Sequence, residues 1–190
     1  MPIRDPIGNL CDRTVRVHIR QVESVNFDVL QAVRLAQQIY GRWGIFFNAA
    51  SLQTVHLERP DRAYFGTLVT ACDREGYLGK QDELYELFGV QDLSSITIFL
   101  IGDIMPIMPK FGREVVGCAA HSRARPAVFL DRDAGRETLA HEVGHLLIGT
   151  GHDLVEANVM SAVAARCIGA PFLSPRQVQT IRTSPYVQRC

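Results

Sequence analysis

The sequence predicts one α/β (α+β) domain with a sheet of about five strands and three main helices. Three observations lead there. Strand-like and helix-like stretches alternate along the chain. Hydrophobic residues make up 47% and charged residues 21%, an ordinary globular balance. A chain of 190 residues suits one domain better than two. It is also long enough to bury roughly 70% of its unfolded surface, so a core needs no disulfides.

The elements follow in order. Thr14 to Val22, TVRVHIRQV, alternates with period two and reads as a strand. Asn26 is expected to cap a helix running to about Trp43, because Val29, Val33, Ala36 and Tyr40 fall on one helical face. Gly41 and Gly44 end it. Ile45 to Glu58 reads as a second strand, bent at its small residues, and Arg59 to Gly79 reads as loop. KQDELYELFG makes a short amphipathic helix ended by Gly89. SSITIFLIG, Ser94 to Gly102, is rich in β-branched residues and predicts a buried strand. IMPIMPKFG carries two prolines and reads as loop. EVVGCAA and AVFLDR are two further short strands around HSRARP, and a helix is expected from about Gly135 to Ile148. The last helix opens at LSPRQVQTIR. Ser174 and Gln177 form a capping box there, Pro175 takes the first helical position, and Leu173 can staple onto Val178.

Composition removes several function classes. Lys+Arg and Asp+Glu are both 20, so the formal net charge is zero and the basic excess of a nucleic-acid binder is missing. No apolar run is long enough to span a membrane. The first residues, MPIRDPIGNLCDR, have Asp5 and two prolines where a signal peptide needs an uninterrupted apolar stretch. The expectation is a cytoplasmic protein, one exported by a signal-independent route, or a trimmed chain, and a monomer. The cysteines, Cys11, Cys72, Cys118, Cys167 and Cys190, are widely spaced with no CxxC pair. Mostly free thiols are expected, with Cys167–Cys190 the pair to consider if one bridge forms.

One segment carries chemistry: AHEVGHLLIGTGHD, Ala140 to Asp153. On a helix His141 and His145 lie about 40° apart around the axis, so both imidazoles reach one metal. Leu139, Ala140, Val143, Leu146 and Leu147 share a broad opposite arc that can pack on a core. Glu142 falls between the two faces, where a general base for a metal-activated water belongs. A catalytic zinc site takes three protein ligands and leaves one position for water. After Ile148 the only His is His152 and the only acids are Asp153 and Glu156; Ala157 to Cys190 holds none of these types. The third ligand therefore comes from the turn after the helix, from Cys167 or Cys190, or from upstream. His152 is preferred, because Gly149 and Gly151 let the chain turn back sharply. Asp153 is the alternative, as a carboxylate ligand or as partner to a ligand His.

These residues resemble the metzincin clan of zinc metallopeptidases in its matrixin-like form, whose pattern is HExxHxxGxxH followed by a Met-turn. HEVGH supplies the first part, and Gly149 and His152 supply the Gly and the final His. One extra residue stands between His145 and Gly149. Met160, in NVMS, lies where the resemblance implies the Met-turn, a tight turn under the ligands. A Tyr two residues later is common in the family; Ala162 stands there instead.

The resemblance implies a twisted mixed sheet with an antiparallel edge strand, an active-site helix, a Met-turn and a C-terminal helix. It implies one catalytic domain over 1–190, with an upper part to about residue 148 and a lower part over 149–190. It also implies that Gly117, Cys118, Ala119 and Ala120 form the edge strand that pairs with a peptide substrate. Ser161 to Ala165 would help to wall the pocket for the residue after the scissile bond. Cys11 precedes the first strand but does not match the family's cysteine-switch motif. The function implied is a Zn²⁺-dependent endopeptidase acting on proteins or peptides. The alternatives are an effector-type or toxin-type metallopeptidase with one dedicated protein substrate, a non-peptide amide hydrolase, or a zinc-binding docking module.

Overall fold

Alternating burial along the first strand sets the layers of the molecule. In the computed structural model, which describes residues 11–22, 25–58, 65, 67–70, 79–106, 115–120, 125–161 and 170–190, β1 spans Arg13–Val22. Its Val15, Val17 and Ile19 are at most 1% exposed, while Arg16 and Arg20 point to the other face. Helix α1 (Val29–Gly41) follows and returns the chain to β2 (Ile45–Val55), which pairs parallel with β1. The register shifts between Val17 and His18, opposite Ala49 and Ser51, so the expected bend at small residues is a bulge that skips Ala50.

Asp28, rather than Asn26, caps α1: its side chain accepts from the Gln31 N–H at 3.0 Å. Val25 and Phe27 explain the difference. Both are buried, and a spacing of two puts them on one side only if the chain is still extended there.

Next come β3 (Thr67–Thr70), α2 (Gly79–Phe88), β4 (Ile96–Leu100) and β5 (Asp103–Pro106). β3 and β5 pair parallel in a small two-stranded sheet. Both were expected as loop; each is a strand only through pairing with the other, a segment distant in sequence, and such pairing leaves no local pattern. β6 (Gly117–Ala120) and β7 (Ala127–Leu130) complete the path β2-β1-β4-β7-β6 of the main sheet. Strands β1, β2, β4 and β7 are parallel, and β6 runs antiparallel on the edge. Helix α3 (Thr138–Ile148) begins three residues later than expected, after a turn in which the Thr138 N–H donates to Gly135 O. Helix α4 (Pro175–Arg182) precedes β8 (Val187–Arg189), an unexpected strand that pairs antiparallel with the start of β1. The result is a mixed α/β fold with a six-stranded sheet.

β4 is buried on both faces, which is why its sequence shows no alternation. On one face α1 and α3 lie side by side against the sheet. On the other, Tyr85 of α2 meets Phe99 edge-on at 6.3 Å, and Phe99 stacks on Phe129 at 5.2 Å. No helix among the described residues is long and apolar enough to cross a membrane.

The first and last described segments meet beside β1. Cys11 and Cys190 form a disulfide, and Arg182 pairs with Asp12 at 2.9 Å while donating to Trp43 O at 3.0 Å. This corrects the expectation of mostly free thiols and replaces Cys167 by Cys11 as the partner of Cys190. It also commits Cys11 far from any switch role. Cys118 is disulfide-bonded as well; Cys72 and Cys167 lie outside the described residues. A bond joining residues 179 apart restricts a very long loop in the unfolded chain. Replacing Cys11 and Cys190 together by serine is therefore expected to lower the unfolding free energy by about 2–5 kcal/mol, read from urea denaturation.

Candidate metal centre

Helix α3 carries His141 and His145, whose Nε2 atoms lie 3.0 Å apart, and Glu142; each of the three is 7% exposed. The opposite arc, with Leu139, Ala140 and Val143, is fully packed against the sheet and α1. His152 joins them from the loop beyond the helix and is exposed. The ligand atoms of His141, His145 and His152 all lie within 4.8 Å of one another, and the group could hold a metal ion. The His152 ring centroid is 5.4 Å from that of His141 and 4.8 Å from that of His145.

The ring tautomers follow from the backbone. His141 Nδ1 lies 2.7 Å from Val159 O, and His145 Nδ1 lies 3.0 Å from Gly149 O. A carbonyl only accepts, so both Nδ1 atoms must carry the proton. Both Nε2 atoms then carry lone pairs, and they face each other at 3.0 Å. A hydrogen bond between them would need one ring to be cationic. Burial opposes that: it holds the His141 imidazole below the usual histidine range, against the raising effect of the Val159 bond and with help from nearby His152. A cation between the two nitrogens resolves the conflict, and a set of neutral imidazoles is a donor set that fits it.

Three local devices hold this geometry. Gly149 ends α3 at φ 116°, ψ −178°, a backbone region closed to L side chains, and its N–H donates to His145 O at 2.8 Å while its carbonyl orients the same residue's ring. Tyr40 of α1 is fully buried and donates its hydroxyl to Ala140 O at 2.9 Å. Burial pushes its phenol well above the usual range, so it remains a donor throughout any working pH. Gly144 lies against Met160: a Cβ there would collide with Met160 Sδ and come 3.5 Å from the Tyr40 hydroxyl.

Met160 itself is 1% exposed and sits in a turn in which the Ser161 N–H donates to Asn158 O at 2.9 Å. Asp153 lies next to His152 but outside the three-histidine group. Its Oδ1 accepts from the Val155 N–H at 3.0 Å and its Oδ2 from Gln177 Nε2 at 3.3 Å.

Gly117, Cys118, Ala119 and Ala120 form β6, paired with β7; among the described residues no strand pairs with the other edge. Glu142 packs against the first of them. A Cβ on Gly117 would come within 2.7 Å of Glu142 Oε1 and 2.8 Å of its Cγ. Ala162 and the rest of the expected pocket wall to Ala165 lie outside the described residues. Sequence reasoning missed Tyr40, Gly144 and Val159. Only Gly144 left a signal, since a glycine inside a helix costs about 1 kcal/mol and asks for a packing reason.

No family model matches the chain, and no curated protein matches it either. Among solved structures it is similar to metalloproteinase-II from Bacteroides fragilis, with a TM-score of 0.61 and 17% identity. The match covers 95% of this chain and 56% of that one, so the chain spans a little over half of that protein's length. The likeness at this identity is one of fold alone.

The Gly144 contact reverses an ordinary rule. Glycine to alanine inside a helix normally stabilises by up to about 1 kcal/mol. Here Gly144→Ala is expected to destabilise by about 1–3 kcal/mol through overpacking against Met160, measured as the shift in a denaturant midpoint.

Proposed function

We propose that this chain is a zinc-dependent endopeptidase of the metzincin type, cutting protein or peptide substrates. The observation that carries the reading is the pair of buried Nε2 atoms facing each other with both Nδ1 atoms committed to backbone carbonyls, joined by His152. Three imidazole ligands, with His152 exposed on the loop after the helix, fit a catalytic rather than a structural zinc site. The likeness in fold to metalloproteinase-II from Bacteroides fragilis supports the same conclusion.

His141, His145 and His152 would hold the Zn²⁺, and Asp153 would steady the loop rather than ligate. When bound, the metal supplies a Lewis acid that activates a water and polarises the scissile carbonyl. Glu142, adjacent to His141 in sequence and packed on Gly117, takes a proton from the attacking water and passes it to the leaving amine. Gly117 to Ala120 form the edge to which the substrate backbone adds as an extra strand. Met160 forms the Met-turn beneath the ligands, with its sulfur against Gly144. The chain works as one catalytic unit, with an upper part through residue 148 and a lower part from 149 to 190.

Two measurements test this. Glu142→Gln is expected to cut peptidase kcat by about 10²–10⁴-fold while zinc stoichiometry stays at that of the unsubstituted chain. A near-normal rate in that variant removes Glu142 from the chemistry. Dialysis against a strong chelator is expected to abolish cleavage of a quenched peptide or casein, and added Zn²⁺ to restore it. Cleavage that survives full metal removal would overturn the reading.

A further inference from the structure

Helix α4 opens with a capping box: Ser174 Oγ accepts from the Gln177 N–H, and Gln177 Oε1 accepts from the Ser174 N–H at 2.7 Å. Glutamate would serve that purpose as well as glutamine. The Gln177 carboxamide does more than cap. Its Oε1 also accepts from Asn158 Nδ2 at 2.8 Å, and its Nε2 donates to Asn158 Oδ1 at 3.2 Å and to Asp153 Oδ2 at 3.3 Å. A carboxamide has two donor hydrogens and two strong acceptor positions, and all four are used. The amide orientations are fixed by the backbone. The Ser174 N–H requires the oxygen of Gln177, and the Met160 N–H, 2.8 Å from Asn158 Oδ1, requires the oxygen of Asn158.

The two partners of Gln177 border the metal centre from different directions. Asp153 directly follows His152, and its N–H donates to Met160 O at 2.8 Å. Asn158 directly precedes Val159, whose carbonyl orients His141. We propose that Gln177 is a positioning residue for this centre, holding Asp153 and Asn158 together so that His152 and the Val159 carbonyl stand correctly against the two helical histidines. The inference rests on the metal-site reading above. His152 has no helix of its own to hold it, and ordering a loop residue costs backbone entropy each time it must be fixed. A loop that is clamped beforehand avoids that loss at the moment of binding.

Gln177→Glu separates positioning from capping. Glutamate keeps an oxygen for the Ser174 N–H but has no hydrogens to give, and it sets a second carboxylate against Asp153. Ser174→Ala does the reverse, weakening the cap while leaving the clamp. On the full chain, Zn²⁺ affinity is measured by chelator competition, peptidase rate as kcat and KM, and amide hydrogen exchange over 153–161 on the metal-free protein. The expected result is that Gln177→Glu weakens Zn²⁺ binding about 10–100-fold, lowers kcat with KM little changed, and speeds exchange in that segment. Ser174→Ala is expected to lower the thermal midpoint while Zn²⁺ affinity stays within about threefold of the unsubstituted chain, as fits a role confined to the helix cap. Equal losses of affinity in the two variants, or unchanged affinity and exchange in Gln177→Glu, overturn the positioning role while the peptidase reading stands. An unsubstituted chain that binds no Zn²⁺ overturns both.

Discussion

Two imidazole nitrogens held 3.0 Å apart with their lone pairs facing each other are an unfavourable arrangement for an apolar interior. Rotating either ring would relieve the contact, but it would break the bond that ties that ring's Nδ1 to a carbonyl. The rest of the structure is organised around those two carbonyls. Gly149 O belongs to the residue that ends the helix, so His145 is oriented by the way its own helix stops. Val159 O belongs to a loop distant in sequence, so His141 is oriented only if that loop is docked. The repulsion is the cost of preorganisation. A cation bound between the two nitrogens, as proposed, would recover it, and a site that lacked it would have to order its ligands during binding instead.

The helix that bears the rings is fixed by packing on its buried side. Tyr40 reaches from α1 to the Ala140 carbonyl, one residue before His141, and its ring stacks on Phe47 of β2 at 5.7 Å. Gly144 lets the Met160 sulfur sit directly against the helix backbone, between the two histidine turns. Gly117 does the same for Glu142 at the edge of the sheet. Both glycines act by lacking a side chain where two elements approach. Neither contact relies on unusual backbone angles, unlike Gly149, which does.

What the sequence disclosed depended on range. The His141/His145 pair is legible because a helical spacing of four places side chains together whatever the rest of the chain does. The Ser174/Gln177 cap is legible for the same reason. His152 is legible only in part: the absence of His and acids from Ala157 onward narrows the candidates, and Gly149 and Gly151 favour His152 among those that remain. The resemblance to metzincins supplied the antiparallel edge strand, and the sheet has one in β6. Pairings between distant segments left no local trace: β3 with β5, β8 with β1, Cys11 with Cys190. The misplaced cap at Asn26 shows the same limit on a smaller scale. Asn26 and Asp28 are both good capping residues, and only the burial of Val25 and Phe27 decides between them.

The Gln177 side chain shows why a correct local reading can still be incomplete. Its capping bond lies within three residues and follows from sequence pattern. Its other bonds reach residues 19 and 24 positions away. The pattern that predicts the cap accepts Glu or Gln alike, so the choice of Gln carries information that the pattern discards. A carboxylate has no hydrogen to offer, and only a carboxamide can meet Asp153, Asn158 and the Ser174 N–H together. On the proposed reading, the choice between two chemically close side chains at a helix cap thus bears on whether the loop that carries His152 is held, and it would make the last helix part of that site without contributing a ligand to it.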